Sequence, residues 1–373
     1  MSPKIYKVGI VGYGIVGQRR RLFIDKNPYM KTVAVCDVRF KKDGFMIDGA
    51  DFNYTYDLLE DQSDRKPLTG KINDEIQFFN NYNDLLANST LDILFVSVPN
   101  YLASAVTMAG LKKGLHVFCE KPPGRNVEDI LRVIVHEQRR PKLKLMYGFN
   151  HRYHESVKDA LSIMHSGDLG KPINLRGVYG KSNLITFNQP DWRTNREIAG
   201  GGVLLDQGIH MVDLMLLFGG EFIEVHSFVS NNHWGYDVED NAYALMRTSA
   251  GVVAMLNSSA TQWRHRFHMD INFERGSLVL GGILTGTKSY GAETLTVVQA
   301  DPDNDGGNPK EQTTRYNQDP SWEEEINRFA EFILTDKPVD QGTSEEALKT
   351  MQLIFKIYHA DEEWRKTYNI PQP

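Results

Sequence analysis

The chain has 373 residues, of which 41% are hydrophobic and 24% are charged, with a formal net charge of −6 and a pI near 6.0. This composition is ordinary for folded globular proteins and unlike that of disordered chains. Because nucleic acids are bound largely through positive charge, it argues against nucleic acid as a partner and favours a small molecule. At about 150 residues per domain, the length indicates two domains.

The cysteines and the N-terminal segment indicate the compartment. Cys36 and Cys119 are far apart and lack ligand spacing, so we expect neither a disulfide framework nor a structural zinc site, and a cytoplasmic location. The N-terminal apolar run is broken by Lys4, Lys7 and three glycines, unlike a signal peptide. No stretch approaches the roughly 20 apolar residues of a membrane span, and we expect no membrane partner.

Residues 1–150 alternate short apolar strands with helical patterns. A strand at residues 8–11 precedes a glycine turn and a helix, and four apolar runs follow: TVAVCDV, LDILFVSVP, LHVFCEKP and KLKLMYGF. The helical patterns between them end at Gly114 and before Pro141. This alternation predicts a doubly wound parallel sheet of the Rossmann type. An insertion over residues 39–75 is longer than a usual connection, and its role is unassigned.

Residues 151–373 have a different pattern. One helical segment, ESVKDALSIMHSG, is followed by strand-like runs that short turns join, from INLRGVYG to GSLVLGG. They predict an α+β domain with a large open, mostly antiparallel sheet. The segment ADPDNDGGNPKEQTTRYNQD predicts a polar surface loop. Two amphipathic helices close the chain, and we expect the C-terminal helix to pack back toward the first domain.

A glycine motif follows the first predicted strand. Gly12, Gly14 and Gly17 form G-x-G-x-x-G at the mouth of the first helix, with Ile15 and Val16 inside the motif. Glycines permit a tight turn and a close backbone approach, and a helix N-terminus attracts a pyrophosphate. The motif is weak alone, but its place in the first βαβ unit predicts a dinucleotide site.

An acidic residue refines the expected cofactor. Asp37 lies twenty residues after Gly17, at the end of the second strand. A carboxylate there accepts hydrogen bonds from the adenosine ribose and repels a 2′-phosphate, which favours NAD over NADP. Arg39 weakens this preference, because a nearby arginine can accommodate a phosphate.

A charged pair ends another predicted parallel strand. Glu120 and Lys121, in CEKPPG, lie where ligands of open α/β sheets bind. Lys121 at this position would stand beside the nicotinamide. The alternative is a surface ion pair before a proline turn.

The segment GGGVLLDQGIHMVDLMLLF carries the second candidate site. From Val203 onward it predicts one helix, in which Asp206 and His210 lie one turn apart and share a face. Such a carboxylate can orient a histidine for general acid–base catalysis. Two alternatives are an N-terminal aspartate with a core histidine, and a metal pair, although no further ligand cluster is evident. The predicted core-facing residues of the helix are Leu204, Met211, Leu214 and Phe218.

Several motifs together resemble one known family. GIVGYGIVG, VSVPN, HVFCEKPPG, the GGGVLLDQGIH segment and the C-terminal helices are similar, in order, to the glucose-fructose oxidoreductase / inositol dehydrogenase / MocA family. The resemblance implies an N-terminal Rossmann domain and a C-terminal α/β domain whose open sheet makes oligomer contacts, hence a homodimer or homotetramer. It also implies an NAD(P)-dependent dehydrogenase or reductase that acts on a hydroxyl or carbonyl of a sugar or cyclitol.

The resemblance assigns roles to individual residues. Lys121 is the lysine that is hydrogen-bonded to the reacting oxygen. His210 is the general base or acid, supported by Asp206. Pro99 and Asn100 line the nicotinamide side, and Glu120 lies near the cofactor ribose. The complete set of cofactor-binding candidates is Gly12, Gly14, Ile15, Val16, Gly17, Asp37, Arg39, Pro99, Asn100, Glu120 and Lys121.

Substrate contacts are expected from two further segments beside Asp206 and His210. They are FNHRYHES and QPDWRTN, in which an aromatic face suits a sugar ring and packing is the alternative. The candidates are Asn150, His151, Arg152, Tyr153, Trp192 and Arg193. Two departures from the family pattern, Ala103 in place of a frequent histidine and the 39–75 insertion, leave the substrate open.

The sequence therefore predicts an NAD(H)-dependent oxidoreductase that acts on a sugar, a cyclitol or a sugar derivative, including a nucleotide-linked one. An alternative enzyme retains NAD and uses transient oxidation for glycoside cleavage or epimerisation. An alternative of another class is a ligand-sensing regulator that has lost catalysis.

Overall fold

The computed structural model describes residues 4–40, 76–182, 191–285, 289–301, 303 and 307–373. The chain divides into two compact units: the first comprises Met1–Gly124, Glu128–Gly148 and Trp322–Ala347, and the second Arg125–Val127, Phe149–Ser321 and Leu348–Pro373. The insertion predicted from the sequence lies, from residue 41 to residue 75, outside the described residues. The domain limits drawn from the sequence stay a prediction.

The first unit contains a parallel sheet of six strands among the described residues. Every neighbouring pair is parallel, in the order β3-β2-β1-β4-β5-β6. This order is that of a doubly wound nucleotide-binding fold, so the predicted class is confirmed. The strands are β1 (Tyr6–Val11), β2 (Met30–Cys36), β3 (Gln77–Phe79), β4 (Ile93–Val96), β5 (His116–Glu120) and β6 (Leu145–Gly148).

The second unit contains a mixed sheet of eight strands in its described part. Its order is β14-β13-β12-β11-β7-β10-β9-β8, in which β7 and β10 pair in parallel and the other neighbours pair antiparallel. The mostly antiparallel sheet is as predicted. The strands are β7 (Pro172–Ser182), β8 (Phe222–Ser230), β9 (Asn241–Thr248), β10 (Val253–Gln262), β11 (Arg266–Phe273), β12 (Gly276–Gly281), β13 (Glu293–Gln299) and β14 (Glu311–Tyr316).

The α-helices of the described residues lie between and after these strands. The predicted stop at Gly114 is confirmed, because this residue ends α3 in the left-handed conformation that glycine tolerates. The helices are α1 (Ile15–Lys26), α2 (Tyr82–Asn88), α3 (Asn100–Lys113), α4 (Val127–Gln138), α5 (Glu155–Ser166), α6 (Arg196–Ala199), α7 (Ile209–Gly219), α8 (Ser321–Thr335), α9 (Ser344–Ala360) and α10 (Glu362–Tyr368).

The core of the first unit forms between the parallel sheet and its helices. All residues of β4 are buried, as expected for a strand that is covered on both faces. Phe95 stacks on Phe118 of β5, and Phe329 of α8 meets both rings edge-on. These contacts hold the middle of the sheet rigid below the strand ends that carry the candidate cofactor residues.

In the second unit, one face of the sheet packs on α7. The strands alternate buried and exposed residues, as β9 shows, so one face is apolar. At Gly177 in β7, a Cβ atom would lie 2.5 Å from Met215 Cε and 2.6 Å from Met211 Sδ. The glycine therefore lets α7 approach the strand closely, which fixes the helix that carries His210.

One expectation about this unit was wrong. The segment predicted as a polar surface loop contains β14, because its backbone pairs with β13 along a sheet edge although five of its six residues are exposed.

The stretch Arg196–Gly219 is long and apolar enough to cross a membrane by length and composition alone. Of its most apolar window, 78% is buried inside the protein, which is typical of core helices.

Candidate active site

The glycine loop of the first unit has room on one side only. Gly12 has a φ of +86°, and a Cβ atom there would lie 2.1 Å from the carbonyl oxygen of Ser97. A Cβ atom at Gly17 would lie 2.0 Å from the carbonyl oxygen of Gly12, so both residues must be glycine. At Gly14 the nearest atom would be Arg39 Nη2 at 3.8 Å.

The open side of Gly14 adjoins the beginning of a helix. Gly14 is the N-cap of α1, and the first turn of that helix carries no acidic residue. Backbone N–H groups and the helix dipole there favour an anion that approaches the glycine closely. The loop therefore has room for the pyrophosphate of a dinucleotide, and the binding of these residues to a cofactor stays a prediction.

Asp37 lies directly beyond β2 and is fixed beside the glycine loop. Its Oδ2 accepts hydrogen bonds from the Tyr13 backbone N–H at 3.0 Å and from Arg39 Nη2 at 2.9 Å. Its Oδ1 accepts from Arg39 Nε at 2.7 Å. The two predicted side chains thus form a bidentate pair, in which the guanidinium offsets the negative charge of the carboxylate.

The other predicted cofactor residues lie at the same edge of the sheet. Pro99 caps the N-terminus of α3, Asn100 begins that helix, and Glu120 ends β5 just before Lys121. Because β1, β4 and β5 are parallel neighbours, their carboxyl ends meet at one edge, where ligands of open α/β sheets bind. The structure therefore brings Lys121 and the glycine loop to one edge of the first unit.

Glu120 is held by a buried arginine that the sequence analysis did not single out. Arg20, on α1, is fully buried, and its Nε lies 2.6 Å from Glu120 Oε1. Its Nη2 lies 2.7 Å from Oε2 of Glu325, a fully buried residue of α8. The guanidinium also lies over the rings of Phe118 and Trp322, with 4.6 Å and 4.3 Å to their centroids. The residue before Lys121 therefore has a rigid support.

The glycine run of the second unit is explained by crowding. A Cβ atom at Gly201 would lie 2.4 Å from Tyr358 Oη, and one at Gly202 would lie 2.0 Å from the carbonyl oxygen of Glu239. The carboxylate of Glu239 is fully buried and accepts from the backbone N–H groups of Gly202 and Leu204 and from the Tyr358 hydroxyl, at 2.6, 2.9 and 2.7 Å. Burial raises the pKa of Glu239. This side chain anchors the start of the segment that carries Asp206 and His210.

The helix predicted from Val203 is not uniform. Leu204–Gly208 forms a π-helical turn, and α7 begins at Ile209, so Asp206 and His210 lie in different helix types. A Cβ atom at Gly208 would lie 2.5 Å from Ser258 Oγ of β10, and this close approach accompanies the wider turn. Such turns are frequent at functional sites. The predicted core-facing residues are confirmed as buried: Leu204, Met211, Leu214 and Phe218.

Asp206 lies between two cationic side chains. Its Oδ2 is 3.7 Å from Lys181 Nζ, and its Oδ1 is 3.9 Å from Arg193 Nε. The Arg193 guanidinium lies over the Trp192 ring, 4.3 Å from the centroid. Three predicted site residues, Trp192, Arg193 and Asp206, are therefore brought together in the second unit.

His210 is buried against other rings, with 4% of its surface exposed. Its ring stacks on that of His151, with centroids 3.8 Å apart and planes 10° apart. The ring of Tyr179, on β7, lies 6.4 Å away. The support of His210 by Asp206 stays a prediction.

The other predicted substrate residues form a short turn, Asn150–Tyr153, after β6, and all four are buried. Asn150 Nδ2 donates to Ser321 Oγ at 3.2 Å. Arg152 donates from Nε and Nη2 to both oxygens of Asp213 on α7, at 2.8 and 2.6 Å. This pair ties the turn to the helix, which is a structural role, and the substrate contacts of the turn stay predictions.

Four residues of these sites were missed from the sequence. Arg20 is one of three consecutive arginines, a pattern that is typical of a solvent-exposed charged surface. Glu239 binds a backbone segment that is distant in the sequence, so no local motif indicates its role. Tyr179 and Lys181 could have been found. Both lie on the same face of β7 as the buried Leu175, where Tyr179 is buried and Lys181 is half-buried.

Among the described residues, no group of three or more His, Cys, Asp or Glu side chains could hold a metal ion. The geometry at Asp206 is that of a carboxylate beside cationic groups.

Comparison with known proteins agrees with both units. Residues 6–149 match the oxidoreductase family with an NAD-binding Rossmann fold, and residues 157–279 match the GFO/IDH/MocA C-terminal domain. The chain belongs to the Gfo/Idh/MocA family. It is therefore an oxidoreductase with an NAD-binding Rossmann fold, and the resemblance stated from the sequence is confirmed.

Individual members of the Gfo/Idh/MocA family are distant relatives. An inositol 2-dehydrogenase of Salmonella typhimurium is 23% identical over 300 residues, which cover 79% of this chain and 80% of the relative. A D-glucoside 3-dehydrogenase of Escherichia coli is 27% identical over 292 residues, covering 73% and 77%. A levoglucosan dehydrogenase solved with NADH and levoglucosan has a TM-score of 0.76 at 18% identity, covering 97% and 98%. The last likeness concerns the fold.

Proposed function

We propose that this protein is an NAD(H)-dependent dehydrogenase that transfers a hydride between the nicotinamide and a CH–OH carbon of a sugar, a cyclitol or a sugar derivative. The observation that carries the proposal is the sheet edge of the first unit, where the open side of Gly14, Asp37 and Lys121 lie beyond the carboxyl ends of β1, β2 and β5. The names of the relatives, which act on inositol, glucosides and levoglucosan, support the substrate class.

Each catalytic side chain has a distinct task. The nicotinamide, when bound, supplies the carbon that accepts or returns the hydride. Oxidation of an alcohol also needs a base for the hydroxyl proton, and His210 can take it. The Lys121 ammonium donates a hydrogen bond to the same oxygen and stabilises its developing negative charge. Asp206, between Lys181 and Arg193, gives the second unit polar groups for sugar hydroxyls.

NAD is the proposed cofactor rather than NADP. Oδ2 of Asp37 accepts from the backbone N–H of Tyr13 in the glycine loop, so the carboxylate lies beside the loop, where it can also accept from the adenosine ribose. Arg39 is engaged by this carboxylate through two nitrogens, so binding a 2′-phosphate would compete with that pair. Titration of the protein with NAD⁺ and NADP⁺ tests the preference. Asp37→Ser should lower the ratio of the dissociation constant for NADP⁺ to that for NAD⁺, because the carboxylate that repels a 2′-phosphate is removed. An unchanged ratio would contradict this role of Asp37.

The reaction itself is tested with purified protein, NAD⁺ and a panel of polyols, aldoses, glycosides and inositols. Absorbance of NADH should rise with at least one of them. Product formation without net NADH would instead support a transient oxidation with retained NAD, and binding without any turnover would support a sensor.

Two variants assign the roles. Lys121→Ala and His210→Ala should each lower kcat by about a hundredfold or more, because general acid–base and electrostatic contributions have that size. The dissociation constant of NAD⁺ should change little for His210→Ala. Lys112→Ala, an exposed lysine of α3, is the matched control and should have normal activity. Near-normal kcat in either active-site variant would overturn the assigned role.

We also propose that the protein self-associates through the open face of the second sheet. This face exposes Phe228 at 82%, Tyr243 at 50% and Leu245 at 54%. Phe228 pairs with Tyr243 across β8 and β9, so the exposed apolar side chains are contiguous. A patch of this kind on identical copies favours a symmetric interface, and a second copy is the occupant we propose.

A further inference from the structure

His210 and His151 form a closely stacked pair of buried imidazole rings. The planes of the two rings are nearly parallel, 10° apart, with centroids 3.8 Å apart, and 4% and 5% of these residues are exposed. His151 lies on the turn after β6 and His210 on α7. The imidazole that we propose as the proton carrier therefore rests on a second imidazole along its whole face.

Hydrogen bonds decide the protonation state of His151. Its Nδ1 is 3.3 Å from Asn150 Oδ1, and its Nε2 is 3.2 Å from the Tyr179 hydroxyl. The amide nitrogen of Asn150 donates to Ser321 Oγ, which leaves Oδ1 as the acceptor for His151 Nδ1–H. Burial raises the pKa of Tyr179, so its phenol keeps the proton.

The ring of a further phenol, Tyr290, meets that of Tyr179 edge-on, with centroids 5.4 Å apart. Burial raises the pKa of Tyr290, so this phenol keeps its proton too. Because Nδ1 of His151 carries its proton, Nε2 accepts, and the Tyr179 hydroxyl is its donor. The chain of donors runs from Tyr179 through His151 to Asn150. It satisfies both nitrogens of a neutral imidazole.

We propose that His151 is a positioning residue for the proposed reaction: it stays neutral, fixes the ring plane of His210, and offers an uncharged face to His210 when that residue takes the proton. The inference rests on the proposed function, in which His210 exchanges the hydroxyl proton. Two stacked imidazolium ions at this separation would repel each other strongly in a buried site. The donor chain prevents this by occupying Nε2 of His151.

Other charged groups around the stack must be considered as well. The ring of His154 meets the ring of His151 edge-on, with centroids 5.4 Å apart. Nδ1 of His154 lies 2.8 Å from Glu293 Oε2, so His154 is hydrogen-bonded to a carboxylate. Asp206 precedes His210 by one turn and is flanked by Lys181. These groups are unchanged by the substitutions below, so their effect is common to all variants.

Three variants test the positioning role by steady-state kinetics. His151→Ala removes the stacked face, and we expect kcat to fall about tenfold or more with KM for substrate and for NAD⁺ nearly unchanged, because a loosened ring leaves the productive geometry. His151→Phe keeps a flat ring and should restore kcat to within about threefold of the wild type. His165→Ala, an exposed histidine of α5, is the matched control and should have no effect.

Tyr179→Phe tests the role of the donor chain. Loss of the donor frees His151 Nε2 to bind a proton, which disfavours protonation of His210. The apparent pKa in the pH profile of kcat should therefore fall. In a His151→Phe background the same substitution should leave the pH profile unchanged, because no second imidazole can then be protonated. Equal shifts in both backgrounds would overturn the proposal.

The wild-type protein provides a measurement that does not depend on folding of a variant. Nitrogen-15 NMR of labelled histidines, with His151 assigned by its loss in His151→Phe, should show a neutral ring protonated at Nδ1 at pH 7. A doubly protonated ring would overturn the proposal.

Failure of the inference and failure of the proposed function are distinguishable. If the wild-type protein reduces NAD⁺ with no polyol, aldose, glycoside or inositol of the panel, the proposed function fails. If the wild type is active and His210→Ala retains that activity, the role assigned to His210 fails, and the inference about His151 fails with it. If His210→Ala is inactive while His151→Ala has normal kcat, only the positioning role fails. A rise in KM for substrate alone in His151→Ala would make His151 a substrate-binding residue and would also overturn the inference.

Discussion

Replacement of Arg20 by methionine should destabilise the first unit severely. The guanidinium is fully buried and lies 2.6 Å from a carboxylate oxygen of Glu120 and 2.7 Å from one of Glu325. The side chains of these glutamates are 13% and 0% exposed. Methionine keeps much of the aliphatic volume but removes the charge. Two carboxylates then face each other with little water to solvate them.

The size of the effect follows from burial. Breaking a buried ion pair by removing one partner costs about 3–5 kcal/mol, because the remaining charge is buried without compensation. Loss of the guanidinium from the rings of Phe118 and Trp322 adds about 0.5–2 kcal/mol. For a unit of this size we expect the melting temperature to fall by roughly 10 °C or more.

The chain offers a close control in the same unit. Arg328 of α8 also contacts two carboxylates, those of Glu331 and Asp340, but its side chain is 31% exposed and the carboxylates are 42% and 53% exposed. Arg328→Met should therefore cost no more than about 1 kcal/mol. Urea unfolding of both variants measures the two free energies. Equal losses of stability would refute the argument that burial makes the ion pairs of Arg20 with Glu120 and Glu325 costly to break.

Three further outcomes are expected. Burial, and after it the nearby positive charge of Lys144, lowers the pKa of His116 below 6.5. As the pH falls, the unfolded chain therefore binds the proton before the folded protein does, and the free energy of unfolding should decrease below about pH 6.5. His116→Gln should make this decrease smaller in denaturant titrations at a series of pH values. Gly202→Ala should lower both melting temperature and kcat, because its Cβ atom would lie 2.0 Å from the Glu239 carbonyl oxygen; unchanged values would refute the close approach. Phe228→Glu should shift the protein toward monomer in sedimentation velocity, and an unchanged distribution would exclude that face as the interface.

Strands whose side chains are buried were predictable from the sequence. β4 is apolar throughout and bounded by turn residues, so its place in a parallel sheet could be inferred. β14 was not predictable in this way, because its six residues, EQTTRY, are polar and nearly all exposed. β14 is a strand because its backbone pairs with that of β13, and the local sequence pattern does not indicate which strand it will pair with.

The same distinction separates the parts of the candidate site. Gly12 and Gly17 stand in a short motif whose geometry depends on nearby residues, so their roles could be predicted. The π-helical turn at Asp206 could not. It depends on the contact between Gly208 and β10 and on the Glu239 carboxylate, both distant in the chain. Arg20 likewise has a partner, Glu325, that is about three hundred residues away, and only the fold brings the two together.

A buried charge that serves stability alone could be replaced by apolar residues, often at no loss. Arg20 and its partners Glu120 and Glu325 form one buried cluster. Because Glu120 directly precedes Lys121, we expect this cluster to position the lysine as well. The double variant Arg20→Met Glu325→Leu separates these roles, because it removes the uncompensated carboxylate of Glu325 while leaving Glu120 without its support. Stability should recover by a few kcal/mol relative to Arg20→Met, whereas kcat should stay low. Recovery of both would mean that the cluster acts on stability only.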